Sequence, residues 1–356
     1  MLEHACSQNK RFFTLLGIAL LISVNSILPF DTGFCIAQES ETAPLAARSL
    51  LLDGQVLGQR VVVVGERGHI LISDDQGHSW VQQPVPTRTT LTSVFFIDDT
   101  IGWAAGHDSV ILKTQDGGQH WQAVYADPDD QRPILDLWFR NKQQGYAIGG
   151  YGLFLTTNDG GQSWNVFDFD PATLRSYSPD HIATWSEKPE EETWEIDYHL
   201  NQLSATARGR LYIAAEAGHL YRSDDGSHSW LSLPSPYGGS FYGSLVLSEN
   251  RLLLFGLRGH LFSSEDAGVT WEERQTGVAS TLNDGIRLKD GRIILAGQDG
   301  TVLISSDLGK SFQLYAQPDR SDIAKVLVLD QNTLLLIGEL GVSRISLAPP
   351  STERLP

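Results

Sequence analysis

Cysteine is almost missing from this 356-residue chain: Cys6 and Cys35 are the only two, both within the first 37 residues. Methionine occurs once, at the start, so a Met-lined adaptive groove is excluded. Basic charge is scarce. Lys and Arg number 26 against 43 Asp and Glu, a formal net charge of −17. That balance argues against nucleic acid and against anionic membrane surfaces as partners, and leaves a basic protein segment or a metal-bridged ligand open. His-Glu-x-x-His, Gly-x-Ser-x-Gly and phosphate-cradling Gly-rich loops are absent from the sequence, which removes the support for those chemistries.

The chain does have an export leader by pattern. Lys10 and Arg11 precede an almost unbroken apolar run over residues 12–30, and Ala37 supplies a small residue for cleavage. An uncleaved anchor is the alternative, since the run is just long enough to span a bilayer. Ser23, Asn25 and Ser26 inside the run favour cleavage. Residues 1–37 are read as a signal peptide, 43–346 as the folded domain and 347–356 as a tail. Cleavage removes both cysteines, so packing alone must hold the mature domain in the periplasm or lumen. It also leaves nothing to insert into a membrane. Lys10 and Arg11 are balanced by Glu3 and Asp31, so the charge stays at −17.

Nine tryptophans point to a repeat. SDDQGHSW, TQDGGQHW, TNDGGQSW, SDDGSHSW, SEDAGVTW and SSDLGKSF carry one pattern, Ser/Thr-x-Asp-x-Gly-x-x-Trp, with Asp75, Asp116, Asp159, Asp225, Asp266 and Asp307 at its centre. Successive aspartates are 41, 43, 66, 41 and 41 residues apart. Ser/Thr and Asp side chains hold local backbone, Gly supplies a positive φ, and the Trp leaves the turn to wedge between neighbouring sheets. Ser227 replaces one Gly and Phe312 one Trp, which weakens those units slightly. Six copies argue for folding rather than chemistry, so these aspartates are assigned to structure.

A second repeat, an apolar strand ending in Gly-x-x-Gly, lies upstream of every box. A seventh copy, LIGELGVSRIS, has no box after it. The reading is an all-β, seven-bladed β-propeller of four-stranded antiparallel blades with Asp-box turns. Residues 43–52 are expected to supply the missing outer strand of the seventh blade. The long interval before Asp225 marks an insertion at about 167–201, carrying Trp185, Trp194, Tyr177 and Tyr198. An insertion of that length is seldom idle packing.

With strands a to d running outward from the axis, the boxes join c to d on one face. The b–c turns and d–a loops share the other face, where the insertion is expected to project. The b–c turns present Glu66, Arg67, His107, Asp108, Tyr151, Glu216, Arg258, Gln298, Asp299 and Glu339. Together with Trp185 and Trp194 these are the candidate partner-binding residues, Arg67 and Arg258 pairing carboxylates. His69, His219 and His260 belong to different blades and cannot converge on one zinc ion. No catalytic, cofactor or metal site is expected, and the domain is read as a monomer.

The boxes, the Gly-x-x-Gly turns and the string LTSVFFIDDTIGWAAGHDSVILKTQDGGQHW resemble the photosystem II assembly and stability factors of cyanobacteria and plastids and their bacterial relatives. The resemblance spans about residues 51–346. It implies a non-catalytic seven-bladed propeller in lumenal or periplasmic space that holds a membrane-protein intermediate through an arginine patch. Arg67 and Arg258, with Arg88 and Arg132 in d–a loops, are the arginines available for such a patch. Two other readings stay open. A glycan- or peptide-binding propeller would stack Trp185 and Trp194 on a sugar ring. A sialidase-like hydrolase shares the Asp box, but needs an arginine triad and a Tyr–Glu pair, and its Arg-Ile-Pro string is absent.

Overall fold

The computed structural model describes residues 39–127, 129–167, 169, 174–176 and 198–347. The leader, Tyr177, Trp185, Trp194 and the tail beyond Leu347 lie outside them. Among the described residues no helix is long and apolar enough to cross a membrane.

Seven antiparallel sheets follow one another around an axis. Blade 1 is β1 (Leu51–Leu57), β2 (Arg60–Gly65), β3 (Ile70–Ser73) and β4 (Val81–Gln83). Blade 2 is β5 (Leu91–Phe96), β6 (Gly102–Gly106), β7 (Ile111–Thr114) and β8 (Gln122–Tyr125). In blade 3 come β9 (Ile134–Phe139), β10 (Gly145–Gly149), β11 (Phe154–Thr157) and β12 (Asn165–Val166). Blade 4 takes β13 (Arg175–Ser176), β14 (Leu200–Ala205), β15 (Leu211–Ala215), β16 (Leu220–Ser223) and β17 (Leu231–Ser232). Blade 5 holds β18 (Phe241–Val246), β19 (Leu252–Gly256), β20 (Leu261–Ser264) and β21 (Glu272–Glu273). Blade 6 holds β22 (Leu282–Arg287), β23 (Ile293–Gly297), β24 (Val302–Ser305) and β25 (Gln313–Leu314). Blade 7 has β26 (Ile323–Val328), β27 (Thr333–Gly338) and β28 (Gly341–Ser346). Each innermost strand packs on the next, and β26 closes the ring against β1.

Burial follows from this stacking. Strand b is covered on both faces by neighbouring blades, so it reads as an unbroken apolar run such as VVVV or LLLFG and is buried throughout. The Asp-box tryptophans wedge backwards. Trp121 packs edge-on to Phe96 of its own blade and against Ile72 of the blade before, Trp164 against Phe139, and Trp230 against Phe154 of blade 3. Every innermost strand opens with a bulge, which bends it toward the axis.

Two expectations are corrected. Residues 43–52 do not form the outer strand of blade 7. Ala46–Arg48 make a 3-10 turn, and Leu51 already belongs to β1. The turn fills only the place of the loop that follows an outer strand: a Cβ on Gly341 would meet the Ala47 carbonyl, as one on Gly68 would meet that of Thr87. Residues 40–43 run instead beside blade 1, where the Ser40 amide donates to the Val85 carbonyl at 2.9 Å. Among the described residues blade 7 therefore has three strands. The described start of the insertion also departs from the expected course over the b–c face. Phe167 and Phe169 pack on Phe154 between blades 3 and 4, and β13 pairs parallel to β17 at the outer edge of blade 4.

Candidate protein-binding face

The b–c turns are built alike. The glycine ending strand b (Gly65, Gly106, Gly149, Gly256, Gly297, Gly338) lies so close to the preceding d–a loop that a Cβ would stand 1.9–2.3 Å from its carbonyl oxygen. The next amide donates to that same carbonyl, as in Glu66 to Leu50 and Leu257 to Ser240. Blade 4 makes the same bond from Glu216 to His199 while carrying Ala215. One residue later the chain turns left-handed. Arg67, Asp108, Tyr151, Ala217, Arg258 and Asp299 have φ between 51° and 58°, a region costly for residues with a Cβ. The geometry turns these side chains outward, one in each of blades 1 to 6.

The described b–c turn residues among the candidates differ in freedom. The Arg67 side chain is 80% exposed, with only Glu66 at 4.0 Å. Arg258 is exposed and has no ion-pair partner among the described residues. His107, Asp108, Gln298 and Glu339 are exposed. Tyr151 is exposed and meets the edge of His199. Glu216 is committed locally: it accepts from the His199 amide at 2.9 Å. Asp299 accepts from the Ser280 hydroxyl at 2.9 Å and faces Arg320 at 3.5 Å. Arg88 pairs with Glu41 at 2.8 Å and Arg132 with Asp130 at 2.6 Å, leaving Arg67 and Arg258 as the open guanidiniums of the expected patch.

The three histidines pack rather than ligate. Burial lowers the His69 pKa, and its Nδ1 lies 3.0 Å from the Ser49 hydroxyl. His219 stacks on Tyr198 and His260 on Tyr237. Among the described residues no cluster of three or more His, Cys, Asp or Glu has metal-holding geometry.

On the opposite face each box is closed by its own side chains. Asp75 accepts from the Ser79 hydroxyl at 2.6 Å and the Ser79 amide at 2.8 Å, while the Ser73 hydroxyl donates to it at 2.7 Å. These bonds, that of the Ser79 hydroxyl first, hold the Asp75 carboxyl far below the usual range. Desolvation is the largest single influence on Asp116, Asp159 and Asp307 and opposes ionisation. Their hydrogen bonds together outweigh it, and all three are brought down to about 2. Ser227 adopts φ 75° in the place of the glycine, and its hydroxyl accepts from the Trp230 indole at 3.3 Å.

The inner wall holds a network that pattern reading missed. Asp53, Ser93, Asp136, Gln202 and Asp284 share one register, and each accepts the unpaired backbone amide of the next blade. Asp53 takes Val94 at 2.8 Å, Asp136 takes Leu203 at 2.7 Å, Gln202 takes Ser244 at 2.6 Å and Asp284 takes Val326 at 2.9 Å. Lys325 occupies this register in blade 7, 3.3 Å from Asp53 and 3.5 Å from Asp284. Burial pushes Asp136 up to about 7 and raises Asp284. Burial also works to discharge Lys325, but the carboxylates of Asp284, Asp53 and Asp136 prevail and raise it. These groups staple blades together. Their only sequence signal is the common spacing after the first residue of each inner strand.

Comparison with known proteins agrees with this architecture. Residues 72–172 match the family model described as photosynthesis system II assembly factor YCF48. A photosystem II stability/assembly factor HCF136, chloroplastic, of Cyanidioschyzon merolae is 28% identical over 109 residues, covering 29% of this chain and 25% of that relative. The match thus spans a quarter of the relative's length. A solved structure described as YCF48 bound to D1 peptide has TM-score 0.66 at 18% identity, covering 85% of this chain and 94% of that one. YCF48 from Cyanidioschyzon merolae gives 0.63 at 16%, covering 87% and 99%. The WD40 propeller domain of Doa1 gives 0.59 at 14%, covering 90% and 97%; likeness at these identities shows the fold alone. By blade architecture and by the sequence of residues 72–172, the chain is a seven-bladed propeller similar to the photosystem II assembly factors.

Proposed function

We propose that this chain is a non-catalytic, exported propeller that captures a protein partner on the b–c face and acts as an assembly or stability factor for a membrane protein complex. The ring of outward, left-handed turn residues carries the reading, above all the open guanidiniums of Arg67 and Arg258. A guanidinium left free in a protein of net charge −17 is a ready site for a partner carboxylate. The solved YCF48 with its D1 peptide supplies the analogy of a propeller engaging a segment of a membrane protein. The titrating groups of the channel are occupied in stapling: Asp136 accepts the Leu203 amide of the next blade, and Lys325 is held charged among carboxylates. The test is capture of a detergent-solubilised membrane partner by the immobilised chain. Reversing charge at both arginines (R67E with R258E) is expected to weaken capture at least tenfold with the melting temperature nearly unchanged, since exposed substitutions rarely move stability by more than about 0.5 kcal/mol. Unaltered capture would remove the ring from the mechanism.

A further inference from the structure

Among the described residues blade 7 has no fourth strand, and three observations converge on the gap. First, β28 leaves Ser343, Arg344 and Ser346 exposed and Val342 and Ile345 half-buried, whereas β3, β16 and β20 at the same place in other blades are wholly buried. The pairing of Gly338 with Gly341 across a two-residue turn sets the alternation of the ladder, so Val342, Arg344 and Ser346 point their backbone groups away from β27. At the matching place in blade 5, Ser263 pairs with Glu272 of the outer strand.

Second, a groove of about 210 Å³ opens at the start of this edge, lined by Leu336, Leu340, Val342 and Ser343 with Arg48 beside them, and rimmed by Asp319 and Asp322. Third, apolar side chains beside it are left uncovered. Tyr315 follows the outer strand of blade 6 as Leu233 follows that of blade 4. Each gives its amide to the inner neighbour, Val302 and Leu220 respectively. Leu233 is buried at 6% exposure beneath Trp271, the box residue of the next blade, whereas Tyr315 is 44% exposed. Blade 7 offers no box and no Trp to cover it. Leu314 and Leu340 are exposed as well.

The sequence after Leu347 lacks the Asp-box string that leads into the outer strand of the other blades. Aligned on blade 5, Pro349 falls where Gly268 takes φ 86°, and proline is locked near −65°. Blade 4 shows that an outer edge of this propeller takes an added extended segment, since β13 pairs there with β17.

We propose that blade 7 accepts an extended segment of a partner chain as its fourth strand. The segment carries one large apolar side chain for the groove and basic residues for Asp319, Asp322 and Glu339. This site borrows Glu339 from the ring but neither Arg67 nor Arg258, and it does not rest on those arginines.

The probe is a fluorescent peptide with Ser229–Leu233 of the chain's own blade 4 between two lysines at each end, titrated against the full chain. Saturable binding is expected, with slowed amide exchange at Arg344 and Ser346. Binding should fall at least tenfold when Ser343→Trp fills the groove, and equally when the probe is N-methylated at alternate residues. R67E with R258E should leave it within twofold. No binding, or equal binding of the methylated probe, overturns the proposal. Two further outcomes name another occupant and overturn it too: a tenfold gain in affinity on truncation after Leu347 (the tail), or dimers in sedimentation that Ser343→Trp dissolves (a second copy).

Discussion

Blade 4 and blade 7 are the two extremes of one repeat. Blade 4 has five strands, an Asp box, Trp230 at 3% exposure and the aromatics Phe167 and Phe169 packed beside it. Blade 7 has three strands among the described residues, and its sequence holds no box and no tryptophan. Both nevertheless occupy their places in the ring. The inner three strands and the stapling at the channel therefore make a blade, while the box and outer strand decide what its rim can cover.

That comparison breaks most sharply at the channel register. Lys325→Met in blade 7 leaves Asp53, Asp136 and Asp284 without their cation and is expected to cost about 3–5 kcal/mol in urea unfolding. Gln202→Met, at the same register of blade 4, removes one neutral acceptor and should cost about 1–2 kcal/mol. Equal costs would mean that the charged cluster is not what ties blade 7 in.

At the rim the order reverses. Trp230→Ala is expected to cost about 3–5 kcal/mol, because the indole fills the space between blades 3 and 4. Phe312→Ala, at the box of blade 6 and packed on the core of blades 5 and 6, should cost about half as much, since the ring is only partly buried. Similar unfolding midpoints for the two variants would contradict the reading that Phe312 is the weaker wedge.

A smaller, pH-dependent difference follows from the carboxyl groups. The box aspartates have folded pKa values depressed to about 2 at Asp116, Asp159 and Asp307. Their stabilisation is present above the unfolded value of about 3.9 and is lost as pH falls through about 2. Asp136 has the opposite sign: raised to about 7, it favours folding below the unfolded value, and that contribution is lost as pH rises from about 4 to 7. The urea midpoint should fall between pH 5 and 7 and fall again below pH 4. Asp136→Asn should flatten the first limb alone. Amide exchange in acid should rise in the boxed blades before it rises in blade 7.

Much of this was legible in the chain itself. The period, the boxes and the b–c turns each depend on a few residues with a local physical task, so they repeat as letters. The staples do not. Asp, Ser, Gln and Lys all serve one register, because any side chain able to meet the neighbouring strand there is admissible, and only superposed blades reveal the equivalence. The outer strand of blade 7 was misplaced for a similar reason. Residues 43–52 lie where a closing strand would begin, but whether they pair with β28 or cross to blade 1 is decided by Gln82 and Val85 of the other blade.

The sequence by itself determined seven like units, their order, and the turns that each face must carry, because hydrogen bonds within eight residues and apolar runs within strands are local. Only the tertiary structure decided which arginines stay unpaired, which carboxyls share Lys325, and which edge is left bare. Those depend on distances between residues tens to hundreds of positions apart, and burial sets their energies.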